Sequence, residues 1–151
     1  MAAGSVMLGG MQTLTLDVRT GGDEVVLDLT RQCASFVEGR GDGLLHVFVP
    51  HATAGLAIIE TGAGSDDDLL AALGDLLPAD DRWRHAHGSP GHGRSHVMPA
   101  VVPPYATVPV DAGRLALGTW QSICLVDLNV DNADRTVRLD FLASPDDPRG
   151  G

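Results

Sequence analysis

The chain has 151 residues, a formal net charge of -10 and a hydrophobic fraction of 44%, enough length and apolar content for one folded domain with its own core. Its acidic balance argues against general nucleic-acid binding and against docking on an anionic membrane surface. All ten cationic residues are arginine, which removes lysine Schiff-base chemistry and lysine phosphate cradles but leaves an arginine or a metal to hold phosphate.

Residues 1–10 read as a flexible leader, without the charged start and apolar core of a signal peptide. No apolar run approaches membrane-spanning length, and a cytoplasmic location is expected. In Gln12 to Arg19, Leu14, Leu16 and Val18 alternate with Thr13, Thr15 and Asp17, as in a strand with one buried and one wet face. A helix follows from Asp28 or Thr30 to Glu38, with Leu29, Cys33 and Phe36 or Val37 on one stripe. Leu44 to Val49 and Leu56 to Ile59 are continuous apolar runs, which predicts strands covered on both faces.

A second helix takes Ser65 as its N-cap, with Asp66, Asp67 and Asp68 complementing the helix dipole. Leu69, Leu70, Leu73, Leu76 and Leu77 keep helical spacing, and Pro78 follows the stop. After a Gly/Pro loop come strands at Ala106 to Asp111, Leu115 to Leu117, Trp120 to Leu128 and Thr136 to Phe141. Cys33 and Cys124, in apolar or helical surroundings, are expected as buried free thiols. Residues 144–151 read as a disordered tail. The pattern lacks βαβ alternation and predicts an α+β, mainly β fold: an antiparallel, jelly-roll-like β-sandwich with two helices, in a single domain over 11–143.

The Gly/Pro loop carries the chemistry. His85, His87, His92 and His96 occupy twelve residues of a chain with only two other histidines, His46 and His51. The spacing H-x-H-x4-H-x3-H lets several imidazoles converge on a divalent metal. His51 shares strand parity with Leu45, Val47 and Val49 and is expected to point inward and join the site. Glu60 shares parity with Leu56 and Ile58. Arg135 lies on the core side of its strand, where a guanidinium needs a partner, and Asp127 is the candidate. A salt bridge between two strands and a functional role are both open for that pair. No GxxxxGK[ST], GxGxxG or GxSxG motif is present, so nucleotide-loop and serine-hydrolase readings lack support.

The ordered set His51-Ala-Thr-Ala-Gly-Leu56, Glu60, His85, Ser95-His96, Val108-Pro109-Val110 and Leu117-Gly118-Thr119-Trp120-Gln121 resembles the YjbQ-like family, often labelled secondary thiamine-phosphate synthase. The resemblance covers roughly residues 12 to 142. It implies an antiparallel sandwich assembled as a homotrimer, with a histidine and metal pocket near a subunit boundary. On the matching positions it implies His51, His85 and His96 as metal ligands, with His92 a fourth candidate. Glu60, Asp127, Gln121 and Arg135 become the residues that orient ligands, move a proton or bind the substrate.

The chain departs from the family pattern at Ala86, Gly91, His92 and Met98, where carboxylates and a lysine are usual; His87 and His92 are local additions. A carboxylate-poor, imidazole-rich set favours zinc over magnesium. As an enzyme the chain would join a hydroxymethylpyrimidine diphosphate to a thiazole phosphate. Arg135, with Arg82, Arg84 or Arg94, would then balance the leaving diphosphate alongside the metal. The alternatives are a metal- or ligand-binding trimer without significant catalysis, and a trimer whose histidines serve only to stitch subunits together.

Overall fold

Alternating apolar and polar residues put one wall of the core on β8 (Asp134–Ala143). β1 (Met11–Arg19) pairs with it antiparallel along nine residues and adds only the half-buried Leu16 and Val18, with Leu14 39% exposed. The computed structural model describes residues 10–145; most of the leader (1–9) and of the tail (146–151) lies outside them. β8 also pairs with β3 (Gly43–Phe48), which pairs with β5 (Tyr105–Asp111) and through it β6 (Arg114–Leu115), giving a five-stranded sheet of order β1-β8-β3-β5-β6. A second sheet has the order β2-β7-β4, from Val25–Asp28, Ser122–Asp127 and Ala54–Ile59. All pairings are antiparallel, and the α+β class is as expected.

The main core lies between the two sheets. Leu45, Val47, Val137, Leu139 and Phe141 from the larger sheet meet Leu56, Ile123 and Leu125 from the smaller one, closed at one side by Leu29, Cys33 and Val37 of α1 (Thr30–Val37) and the residue before it. Each such fully buried side chain contributes about 1.5–3 kcal/mol of hydrophobic stabilisation. Cys33 and Cys124 are buried free thiols, each pushed up to about 12 by burial. The opposite face of the smaller sheet, with Val126 and Ala57, is covered by Leu73 of α2 (Ser65–Leu76), by Leu77 just past its end, and by Met98 and Val102. β4 and β7 are thus covered on both sides, as their unbroken apolar runs predict.

β3 departs from that rule. Its outward residues Leu44 and Phe48 are 45% and 37% exposed, because none of the described residues covers them on the outer face of the five-stranded sheet. β2 gives too short a run to show a period. Ser65 is the first helical residue of α2 rather than its cap: Gly64 holds the cap position at φ 98° with no side-chain cap bond. Leu76 is 60% exposed and falls off the buried stripe. Gly55 lies inside β4, where a Cβ would strike the Val102 carbonyl oxygen, so this glycine permits close packing rather than a turn.

Candidate metal centre

The loop between α2 and β5 is built inward from its anchors. Arg94 is buried; its guanidinium pairs with Glu24 and donates to the Leu77 carbonyl at 3.2 Å. The Trp83 indole N–H donates to the Pro78 carbonyl at 2.8 Å. Beyond Trp83 the chain makes two short 3-10 turns, His92–His96, which carries Arg94, and Met98–Ala100. Gly93 lets the first turn lie against the preceding segment: a Cβ there would meet the His85 carbonyl oxygen and the Trp83 Cβ. That close approach brings His92 and His96 beside His85 and His87.

Each of the four rings offers one nitrogen, and these nitrogens all lie within 4.8 Å of one another. The rings of His85 and His96 are 3.8 Å apart by centroid and those of His85 and His87 4.1 Å. His92 Nε2 is 3.0 Å from His96 Nε2, so one must donate to the other unless both lone pairs face a shared cation. Desolvation, then the charge the neighbouring rings would carry, holds His85 and His96 below the ordinary histidine range. Both favour the neutral, metal-ligating form at neutral pH. The cluster could hold a metal ion.

Beside it opens a cleft of about 320 Å³, lined by Asp80, Asp81, Trp83, His85, His87 and His92 among others. Behind His92, Asp131 Oδ2 lies 2.8 Å from Nδ1 and accepts hydrogen bonds from Ser89 N and Oγ. The Ser89 bonds and the His92 ring keep the Asp131 carboxyl below its usual range, although partial burial opposes them.

The other nominated residues are placed elsewhere in the chain. β3 ends at Phe48, yet burial keeps alternating through Pro50: Val49 is buried, Pro50 exposed, His51 half-buried and Thr53 buried. The His51 ring is half-buried against β8, where Nε2 accepts the Thr136 N–H at 2.9 Å. Its donor nitrogen is thereby engaged, and it is not among the four converging rings. Burial and Arg135 hold His51 below its ordinary value, against a smaller opposing pull from Asp127. Glu60 is exposed, one residue past β4. Gln121 is exposed too, and its Oε1 closes the Gly118–Gln121 turn on the Gly118 N–H at 2.8 Å, leaving Trp120 73% exposed.

Asp127 and Arg135 bind each other. Arg135 Nε and Nη2 reach the two carboxylate oxygens at 2.7 and 3.0 Å, Nη2 also donates to Thr53 Oγ1 at 3.0 Å, and both side chains are 1% exposed. The pair pins β7 of one sheet to β8 of the other, and Arg135 and His51 share the lining of a second cleft of about 330 Å³. Sequence reasoning missed Gly93 and Asp131, and it named Arg94 only as a phosphate-binding candidate, not as the buried anchor of the loop. No motif marks Gly93, and Asp131 is brought to the loop from 42 residues beyond Ser89.

Residues 14–144 match the family described as UPF0047 protein YjbQ-like. UPF0047 protein Rv2556c of Mycobacterium tuberculosis is 61% identical over 132 residues, covering 87% of this chain and 98% of that protein. A UPF0047 protein of Archaeoglobus fulgidus is 31% identical over 82% of this chain and 97% of its own. Among solved structures, a YbjQ-like protein of unknown function from Sulfolobus solfataricus superposes with a TM-score of 0.80 at 27% identity, covering 89% of this chain and all of that one. A hypothetical protein from Aeropyrum pernix gives a TM-score of 0.79 at 31% identity, covering 88% and 99%. With the antiparallel two-sheet fold and the His51, His85, His96 and Gly118-Thr119-Trp120-Gln121 positions in order, the chain belongs to the YjbQ-like UPF0047 family.

Proposed function

We propose that this protein binds a divalent transition metal, with zinc the expected ion, on His85, His87, His92 and His96, and uses it on a small phosphorylated metabolite entering the adjoining cleft. The convergence of four imidazole nitrogens within 4.8 Å carries this reading. Zinc–nitrogen bonds of ~2.0–2.1 Å put tetrahedral ligand atoms about 3.4 Å apart. The His92–His96 pair is already near that spacing, and the exposed rings of His85 and His87 have room to close. A bound ion of this kind supplies Lewis-acid charge to a phosphoryl oxygen. The chain's own residues fix the rings, and Trp83 walls the cleft.

The thiamine-phosphate synthase reaction implied by the resemblance also needs cations for its leaving diphosphate. Arg135, Arg94 and Arg82 are held by Asp127, Glu24 and Asp80. Arg84, exposed and unpaired among the described residues, is the arginine of that group left to meet a phosphate. This shortage favours a second reading, a metal-binding homotrimer without significant catalysis. Support for self-association comes from Met11, Leu44, Phe48, Tyr105 and Leu142, all exposed on the outer face of the five-stranded sheet.

Metal per chain, measured by plasma mass spectrometry on untagged protein, tests the shared core of both readings. Near-stoichiometric metal is expected, and none even after dialysis against zinc and manganese would sink both. X-ray absorption then separates them: three nitrogens and an oxygen mark an open, reactive ion, and four nitrogens a closed one. Pyrophosphate release from the two thiamine precursors tests the transferase directly, and light scattering at three times the 15.7 kDa chain mass tests the trimer.

A further inference from the structure

We infer that Asp131 is the positioning residue of this metal centre, taking the Nδ1 proton of His92 and so turning the ring's Nε2 lone pair toward His85, His87 and His96. The inference rests on the metal reading above. A neutral imidazole carries one N–H and one lone pair, and which nitrogen keeps the proton is set by what faces it. His92 is the ring whose second nitrogen is enclosed, with a side chain only 8% exposed. Nδ1 finds no other hydrogen-bonding partner among the described residues. It lies 2.8 Å from Asp131 Oδ2, within hydrogen-bond distance though not in the alignment of a formed bond.

The carboxylate is itself held from two sides. Ser89 donates to it from its backbone N at 3.0 Å and its hydroxyl at 3.1 Å. On the strand side, Asp131 N donates to Asn129 Oδ1 at 3.0 Å, and Asn129 N donates to Asp127 Oδ1 at 2.9 Å. That chain of bonds runs back to the buried Arg135 pair, so Asp131 is referenced to the rigid end of the sheets rather than to the loop it serves. Gly88, at φ 80°, leaves the space: a Cβ there would sit 2.6 Å from Asp131 Oδ2 and 3.1 Å from His92 Cγ. A carboxylate behind a ligating histidine fixes its tautomer and raises its basicity, and removing one typically costs ~10–100-fold in metal affinity.

The test titrates cobalt(II) into the full chain and follows its visible absorption, with chelator competition setting the affinity. The parent, Asp131→Asn, Asp131→Glu and Ser89→Ala are compared, with metal-free melting curves for each. Asp131→Asn is expected to bind cobalt about 10–100-fold more weakly, with shifted bands and little change in metal-free melting. Asp131→Glu should restore part of the affinity, and Ser89→Ala, which keeps the His92 contact, should bind close to the parent. Asp131→Asn with parental affinity and bands would overturn the inference while leaving the metal site standing. A Ser89→Ala loss as large as that of Asp131→Asn would reduce Asp131 to a loop tether and overturn it too. A parent chain that takes up no cobalt would instead overturn the metal reading itself, and this inference with it.

Discussion

Asp127→Ala removes both oxygens that face the Arg135 guanidinium and leaves Thr53 Oγ1 as its remaining partner at 3.0 Å. With the arginine side chain 1% exposed, water cannot replace the carboxylate without opening the end of both sheets. Breaking a buried pair from one side costs about 3–5 kcal/mol, and loss of the Asn129 N–H acceptor adds about 1 kcal/mol. Unfolding entropy of roughly 2 cal/mol/K per residue gives ~0.3 kcal/mol/K for a chain of this length, so Tm should fall by about 13–20 °C. Calorimetry on the metal-free protein measures it. The double variant Asp127→Leu/Arg135→Met removes both charges and should recover more than half of the loss. A single-variant drop below about 3 °C, or a double variant melting no higher than the single, would refute the structural role and return both residues to candidate catalytic groups.

Four further outcomes are expected. His51→Ala should keep full metal occupancy by elemental analysis, because its Nε2 is engaged by Thr136 and not by the cluster; lost metal would place His51 back in the site. His51 has a folded pKa below its unfolded value, so the stability it contributes is present above about pH 6.5 and lost as pH falls through that value toward the folded one. Melting from about pH 7.5 to 5.5 should therefore fall less steeply in His51→Asn than in the parent, and an unchanged slope would deny His51 that part. Gly93→Ala should push the His92–His96 turn off the His85 carbonyl, weakening metal binding about tenfold or more at a cost of roughly 1–3 kcal/mol in stability; chelator competition and melting read the two effects. Adding zinc at about 100 times its Kd should raise unfolding free energy by about 2.7 kcal/mol, an increment that a His85→Ala/His96→Ala variant should lose.

Period and composition made the strands legible: β1 and β8 alternate, and β4 and β7 run apolar because both their faces are covered. The same rule misread β3, whose outward Leu44 and Phe48 are left uncovered by the described residues. The metal candidate was legible because His85, His87, His92 and His96 are neighbours in sequence and needed only a tight turn to converge. His51 and Glu60 were tied to the site by strand parity and family position, but parity says which side of a sheet a residue faces and not which loop it meets: His51 lies against Thr136, and Glu60 is exposed past the end of β4. Arg135 and Asp127 left two readings open, and the sequence could not show that they are each other's buried partner. Asp131 was illegible because its contact to His92 depends on how the β7–β8 connection closes, which no local pattern encodes.

β7 is the middle strand of its sheet, paired on both edges and packed on both faces. Its central amides, from Ile123 to Val126, should exchange with solvent only when the whole molecule opens. The histidine loop hangs from the end of that strand through Asp127, Asn129 and Asp131, while its own rings sit partly in water. The molecule therefore carries a steep gradient of local stability, with its slowest-opening strand a few bonds from its most exposed imidazoles. Under the proposed metal reading, an ion would enter or leave by a local breathing motion of the loop while β7 stays closed.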